Sequence, residues 1–215
     1  MSNFRADMFD PLTLVVFAAL GVMSLTVLSV FIFKLLQFSR LGVGKRQMAE
    51  QIINTWLSGQ AEAAMQQAAA RKSVLSRILH AVFTGLRARP GETAYAEELG
   101  RQTAISELAT LSDRIRLLEI AVHAAPMLGL LGTVIGMIDA FSVLAQTQAA
   151  ADPAALAGGI WTALTTTAAG LAVALVAYFL TSWLDARIER ERNLIEVLIS
   201  AAIHGRVDQS ARQQG

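Results

Sequence analysis

The sequence predicts an all-α membrane protein with three transmembrane helices and long cytoplasmic helical extensions. Three segments, 11–33, 120–138 and 153–184, contain no Asp, Glu, Lys or Arg. Each has about the 20 predominantly apolar residues that an α-helix needs to cross a bilayer. The chain is 54% hydrophobic and only 16% charged, which is too apolar for an ordinary soluble domain.

The first apolar segment is predicted to be a membrane helix rather than a cleaved signal peptide. A signal peptide carries its positive charges before the apolar run. Here the charges before the run, Arg5, Asp7 and Asp10, nearly cancel. The basic cluster follows the run and consists of Lys34, Arg40, Lys45 and Arg46.

The distribution of Lys and Arg predicts the orientation, because cytoplasmic segments carry the excess of these residues. Residues 34–116 hold twelve of the 18 and the tail holds five, whereas one precedes the first span and the 139–158 connection holds none. We therefore expect seven segments: a periplasmic N-terminus at 1–10, a transmembrane helix at 11–33, a cytoplasmic helical region at 34–116, transmembrane helices at 117–145 and 158–184 joined by a periplasmic loop at 146–157, and a cytoplasmic helical tail at 185–215.

The cytoplasmic region is predicted to be helical, because Ala, Gln, Glu, Leu and Arg dominate it. Gly59 and Pro90-Gly91 are its predicted breaks. An apolar stripe then runs straight into the second span, and a related stripe follows the third span, so both membrane helices are expected to continue into the cytoplasm. The stripes are Leu108, Leu111, Ile115 and Leu118, and Leu184, Ile188, Ile195, Ile199 and Ile203. Packing within one subunit and packing between subunits both remain open.

Several classes of function are disfavoured by the composition. The chain has no cysteine, and its three histidines show no metal-ligand spacing, so we expect no metal and no cofactor. Gly42-Val43-Gly44-Lys45-Arg46 lacks the first glycine and the final Ser or Thr of a phosphate loop. We expect neither an enzyme nor, at a net charge of +1, a nucleic-acid partner. A small-molecule transporter is disfavoured because no inverted repeat is found.

The second span carries a face of small residues that predicts close helix packing. Gly132 and Gly136 form a GxxxG pair, and the spacing of the small residues keeps them on one side of a helix. Pro126 is expected to remove one backbone hydrogen bond and permit a kink. The predicted packing residues are Pro126, Gly129, Gly132 and Gly136 in this span and Gly170 in the third. The hydroxyl of Thr133 either bonds its own helix or lines a polar path.

The third span adds a second face of hydroxyl groups. Thr162, Thr166 and Gly170 follow one another at intervals of four residues, and Thr167 lies beside this line. Hydroxyl groups both donate and accept hydrogen bonds, so the two faces can hold water or orient a carboxyl group. They do not titrate near neutral pH, so a proton path made this way needs a carboxylate from elsewhere.

The strings APMLGLLGTVIGMIDAF, at 125–141, and GGIWTALTTTAAGLAVALVAYFL, at 158–180, resemble the ExbB/TolQ family, with MotA-type stators as more distant relatives. The resemblance implies a homo-oligomeric ring, a pentamer, in the bacterial inner membrane. It implies a single-span ExbD- or TolR-like partner that supplies a proton-carrying aspartate. It also implies a TonB- or TolA-like protein that is energised by the proton flow. Thr133 and Thr167 would be the pore hydroxyls nearest that aspartate.

The resemblance leaves several roles open. An ExbB-like role in outer-membrane import is expected, and the alternatives are a TolQ-like role in envelope integrity and a non-conducting scaffold. The sequence does not distinguish H⁺ from Na⁺ as the transported ion. Many relatives carry a glutamate where this chain has Thr162. Asp139 is either a substitute at the pore mouth or a solvated carboxylate at the end of the second span.

Arg187, Arg190 and Arg192 follow the third span and are either ligands for phospholipid headgroups or simply solvated, with Glu189 and Glu191 favouring the solvated alternative. His123 is expected to be an interfacial or packing residue.

Overall fold

The computed structural model describes residues 11–146 and 153–205, and within these ranges the chain forms seven α-helices and no β-strand. The helices are α1 (Pro11–Leu41), α2 (Arg46–Leu57), α3 (Ala61–Ala69), α4 (Val74–Ala88), α5 (Thr93–Ser112), α6 (Ile115–Gln146) and α7 (Pro153–His204). The parts of the predicted map at 1–10, 147–152 and 206–215 lie outside the described residues.

Three helices, α1, α6 and α7, are long and apolar enough to cross a membrane. The prediction of an all-α membrane protein with three spanning helices is therefore confirmed. The side of the membrane on which each segment lies stays a prediction.

The chain divides into two compact units. The apolar unit contains residues 11–32 of α1, α6 with Arg114, and residues 153–182 of α7. The charged unit contains residues 33–113, with the end of α1 and all of α2 to α5, and the end of α7 from residue 183. Each unit is described by itself below.

Two helices of the charged unit end at the breaks that the sequence predicted. Helix α2 ends at Leu57, just before Gly59, and α4 ends at Ala88, just before Pro90 and Gly91. Gly59 and Gly91 have φ values of +84° and +94°, which an L-residue with a side chain rarely adopts. The core of this unit is built mainly by α4 and by the helices beside it, and includes Ile53, Val82 and Phe83.

One prediction about the helices is wrong. Helix α5 does not run straight into α6, because it ends at Ser112 and Asp113 adopts an extended ψ of 142°. Arg114 has a φ of +65°, in the left-handed region, and α6 starts at Ile115. The apolar stripe is continuous in sequence, but a left-handed residue other than glycine interrupts the helix between Leu111 and Ile115. Helix α7, by contrast, continues without a break to His204, as predicted.

Candidate functional site

Helices α6 and α7 of the apolar unit contact each other along a seam of small residues. A Cβ atom built on Gly170 would lie 2.5 Å from the carbonyl oxygen of Ala125 and 2.9 Å from the Cα atom of Gly129. A Cβ atom built on Gly129 would lie 3.0 Å from the carbonyl oxygen of Thr166. Since these neighbours are backbone atoms, the contact depends on the missing side chains of both glycines.

The GxxxG pair continues this seam along α6. A Cβ atom built on Gly132 would lie 2.5 Å from the Thr166 hydroxyl oxygen, and one built on Gly136 would lie 3.1 Å from the Cβ atom of Ala163. The contacts move toward the start of α7 as they move toward the end of α6, so the two helices run antiparallel. Pro126, the remaining residue of the predicted packing set, lies inside α6 without ending the helix.

Two threonine hydroxyls of α7 bind the backbone of α6 at the centre of the seam. The Thr167 hydroxyl donates a hydrogen bond to the carbonyl oxygen of Gly129 at 3.0 Å. The Thr166 hydroxyl lies 3.3 Å from the same oxygen and 2.6 Å from the carbonyl oxygen of Ala163 in its own helix. Thr166 is fully buried between the helices, whereas Thr167 is partly exposed.

Thr133 and Thr162 bind carbonyl groups of their own helices. The Thr133 hydroxyl donates to the carbonyl oxygen of Leu130 at 2.6 Å, which is the local hydrogen bond that the sequence allowed. The Thr162 hydroxyl donates to Gly158 at 3.1 Å. A hydroxyl has one proton and two lone pairs, and a carbonyl oxygen can only accept. Both side chains are partly exposed, and what they offer beyond their own helix is therefore a hydrogen-bond acceptor.

Thr133 lies at one end of a shallow, largely apolar groove of about 590 Å³ on the surface of α6. Ser142 lies at the other end and donates its own hydroxyl proton to the carbonyl oxygen of Asp139 at 2.9 Å. The remaining lining residues are Val134, Met137, Ile138 and Phe141. The Asp139 side chain is exposed and is not part of this lining, so its assignment to a pore mouth stays a prediction.

The three arginines assigned to lipid headgroups have partners within the chain. Arg187 donates to the carbonyl oxygen of Val43 at 3.4 Å, and its guanidinium carbon lies 5.6 Å from the centre of the Trp183 ring. Arg190 donates to the carbonyl oxygen of Ala186 at 3.0 Å, and Arg192 forms an exposed ion pair with Glu189 at 3.5 Å. These contacts use only part of each guanidinium, so a lipid role stays a prediction.

Sequence reasoning missed two buried charged residues in the charged unit. Lys34 is 0% exposed, and its ammonium group donates to the carbonyl oxygen of Leu111 and to the Gln37 side chain, each at 2.9 Å. Glu191 is 2% exposed and accepts a hydrogen bond from the backbone N–H of Gly44 at 2.9 Å. A signal was present for Glu191, because it lies three residues after Ile188 and four before Ile195, on the apolar stripe of α7.

A search of residues 11–146 and 153–205 finds no cluster of three or more His, Asp or Glu side chains that would hold a metal ion. The sequence itself contains no cysteine. What the site of α6 and α7 offers is therefore close backbone contact and hydroxyl oxygen atoms.

Comparison with known proteins places these helices in a family context. A family model described as the MotA/TolQ/ExbB proton channel family matches residues 70–197, which include all the contacts of the α6–α7 seam given above. A protein of Methanothermobacter thermautotrophicus, named as an ExbB homologue for biopolymer transport, is 32% identical over 182 residues. The aligned part covers 84% of this chain and 62% of that relative.

Two further relatives carry similar names. Biopolymer transport protein exbB1 of Vibrio cholerae is 39% identical over 90 residues, which cover 39% of this chain and 40% of the relative. An ExbB-like biopolymer transport protein of Synechocystis sp. is 33% identical over 142 residues, which cover 65% of this chain and 55% of the relative. The chain thus spans between 40% and 62% of the length of these relatives.

Proposed function

Because this chain belongs to the MotA/TolQ/ExbB proton channel family, we propose that it is the ring subunit of an ExbB-like motor driven by the proton motive force. In this proposal several copies, a pentamer by family resemblance, surround a single-span partner of ExbD type in the inner membrane. The complex energises a TonB-like protein for outer-membrane import. The names of the three relatives favour this role over the TolQ-like one.

The need for a partner follows from the titratable groups of the apolar segments. Within residues 11–33, 120–138 and 158–184, the only titratable side chains are His123 and Tyr178. Both are exposed on the surface of the single chain, His123 near one end of its segment. The two carboxylates of the predicted second span, Glu119 and Asp139, lie near its ends and outside the uncharged part at 120–138. The group that gains and loses the proton inside the membrane is therefore assigned to the partner.

The Thr167–Gly129 hydrogen bond is the observation that carries the proposal. It directs the hydroxyl proton of Thr167 inward and leaves the lone pairs of its oxygen for a molecule outside the seam. The Thr133 hydroxyl likewise donates its proton to the carbonyl oxygen of Leu130, which leaves its lone pairs available. Two acceptors suit a donor such as a protonated carboxylic acid or a water molecule, whereas an ionised carboxylate has no proton to give them.

The proposal is tested by proton flux through vesicles that contain the chain co-expressed with its single-span partner. Thr133→Val and Thr167→Val replace each hydroxyl with a methyl group of similar size. We expect either change to lower the flux roughly tenfold, because a hydrogen bond to the carboxyl group is lost. Thr26→Val is the matched control, since the Thr26 hydroxyl on α1 donates to its own helix at Val22 in the same manner. That variant should keep wild-type flux.

The mass of each purified complex, measured intact, separates the alternatives. Wild-type flux in both the α6 and α7 variants, with the complex still assembled, would overturn the assignment of these hydroxyls to the proton path. An assembled wild-type complex that carries no proton flux would leave the non-conducting scaffold as the better account. A stable monomer that does not bind the partner would exclude the ring.

A further inference from the structure

Glu191 of α7 holds the loop that joins α1 to α2 in the charged unit. Its Oε2 atom accepts the backbone N–H of Gly44 at 2.9 Å. The loop turns through Gly42 and Gly44, with φ values of +65° and +86°, so both glycines adopt a conformation that disfavours other residues. One helical turn earlier, Arg187 donates to the carbonyl oxygen of Val43 at 3.4 Å. Two side chains of α7 therefore hold consecutive residues of the loop.

The second carboxyl oxygen of Glu191 is in an unusual environment. Oε1 is shielded from solvent, and no donor among the described residues lies within hydrogen-bonding distance of it. A buried oxygen that carries negative charge without a donor is much more costly than a buried neutral carboxyl group. The geometry thus favours a proton on this carboxyl group while the loop is in place.

We propose that Glu191 is a reversible proton-binding site, and that its protonated form keeps the loop Gly42–Lys45 against α7 while its ionised form releases the loop. The ligand of the site is the proton itself. The site lies outside the three apolar segments and is separate from the α6–α7 seam.

The direction of the coupling follows from the environment of the carboxyl group. Burial raises the pKa of Glu191 above its ordinary value, and the Gly44 N–H and the Arg187 charge only partly offset this effect. The closed arrangement therefore binds the proton more tightly than an open one in which the carboxyl group meets water. Acidification favours the closed loop, and a rise of pH through the pKa of the closed site favours the open loop.

The other charged groups around Glu191 do not reverse this direction. A groove of about 440 Å³ beside it is lined by Arg46 at the start of α2 and by Arg187 and Arg190 of α7. Arginine keeps its charge over the whole physiological range, so none of the three titrates in competition with Glu191. Arg46 is also paired with Glu50 at 2.7 Å.

The absence of cysteine from the sequence allows a direct test in this chain. Val43 is 6% exposed, so a thiol introduced by Val43→Cys reacts with a soluble maleimide only when the loop opens. The reaction rate is measured between about pH 5 and pH 8.5, and each value is divided by the rate for Val43→Cys combined with Glu191→Gln. This ratio removes the titration of the thiol itself, because the glutamine variant has the same thiol and no ionisable group at 191.

We expect the ratio to rise at least fivefold across the range, and a constant ratio would overturn the proposal. Glu189→Gln is the matched control, since Glu189 lies on the same helix with its side chain 57% exposed, and it should leave the rise unchanged. A second measurement needs no cysteine. The infrared band of a protonated carboxyl group is followed over the same pH range. It should persist to higher pH in the unsubstituted chain than in Glu191→Gln, and identical spectra throughout the range would also overturn the proposal.

Discussion

The apolar and charged units both bring helices together at glycine, but they satisfy the polar groups near these contacts in different ways. In the apolar unit a Cβ atom on Gly170 would lie 2.5 Å from the carbonyl oxygen of Ala125. In the charged unit a Cβ atom on Gly85 would lie 2.6 Å from the Cα atom of Ala96, and one on Gly100 would lie 2.5 Å from the Val82 side chain. The closeness of the packing is therefore common to both units.

The polar partners differ in charge. In the apolar unit the backbone carbonyl of Gly129 accepts from the neutral hydroxyls of Thr166 and Thr167. In the charged unit the ammonium of Lys34 and the ionisable carboxyl group of Glu191 bind the backbone at Leu111 and Gly44. A charged side chain inside a bilayer is expensive, whereas a hydroxyl that donates to a helix carbonyl is tolerated. The two units thus share a packing principle and differ in the electrostatics that their surroundings permit.

The largest expected effect comes from filling the seam of the apolar unit. Gly170→Leu places a side chain against the backbone of α6, and backbone cannot move aside as a side chain can. We expect the free energy of unfolding to fall by about 3 kcal/mol, the upper end of the usual cost of overpacking, and the thermal midpoint in detergent to fall with it. The amount of monodisperse protein in size exclusion is the second readout.

Gly21→Leu is the control for this change, because Gly21 of α1 has no atom within 4 Å of its built Cβ position and is exposed. It should retain the wild-type midpoint. A normal midpoint for Gly170→Leu would mean that α6 and α7 do not approach each other at this residue.

The sequence predicted well those features that depend on segment length or on local backbone preference. Hydropathy predicted the three spanning helices, because the length of an uncharged segment is a direct requirement of the bilayer. Gly59 and Pro90-Gly91 marked helix ends, because their backbone preferences act locally. The break at Asp113 and Arg114 was not predicted, because Arg114 adopts a left-handed conformation that its own side chain disfavours.

The two buried ionisable residues were missed for a different reason. Lys34 was counted among the basic residues that follow the first span, and Glu191 was read as a solvated neighbour of three arginines. Charge alone predicts exposure, whereas position on the helix predicts burial. Lys34 lies seven residues after Val27, and both are on the buried face of α1. Two of the partner groups, however, the Leu111 carbonyl and the Gly44 N–H, belong to the backbone of distant segments, which no sequence pattern identifies.

Removal of the buried cation in the charged unit is expected to have an intermediate effect. Helix α5 has no basic residue in its last turn, and Lys34 supplies a positive charge to the carbonyl oxygen of Leu111 near its end. Lys34→Met keeps the aliphatic stem and leaves that carbonyl without this donor, which should cost about 2 kcal/mol. Hydrogen exchange at the end of α5 should also become faster.

Arg40→Met is the matched control, since Arg40 lies at the exposed end of the same helix. The free energy of unfolding of this variant should change by less than about 0.5 kcal/mol, so its thermal midpoint should stay close to that of the unsubstituted chain. Equal effects of the two substitutions would show that Lys34 acts through total charge rather than through its contact with Leu111.

The smallest expected effect is the loss of one buried hydroxyl from the seam. Thr166→Val keeps the branched shape that packs against Gly132, and Gly129 keeps the hydrogen bond from Thr167. The carbonyl oxygen of Ala163 loses the 2.6 Å hydrogen bond from Thr166, but it lies inside α7, where the helix backbone supplies its own donor. The cost should therefore be about 0.6 kcal/mol, the average for a side-chain hydrogen bond between membrane helices. The stability loss is measured from the thermal midpoint in detergent and compared with that of Lys34→Met. A loss as large as that of the lysine variant would mean that a neutral hydroxyl stabilises the apolar unit as much as the Lys34 ammonium stabilises the charged unit. The electrostatic difference between the units would then not govern their stability.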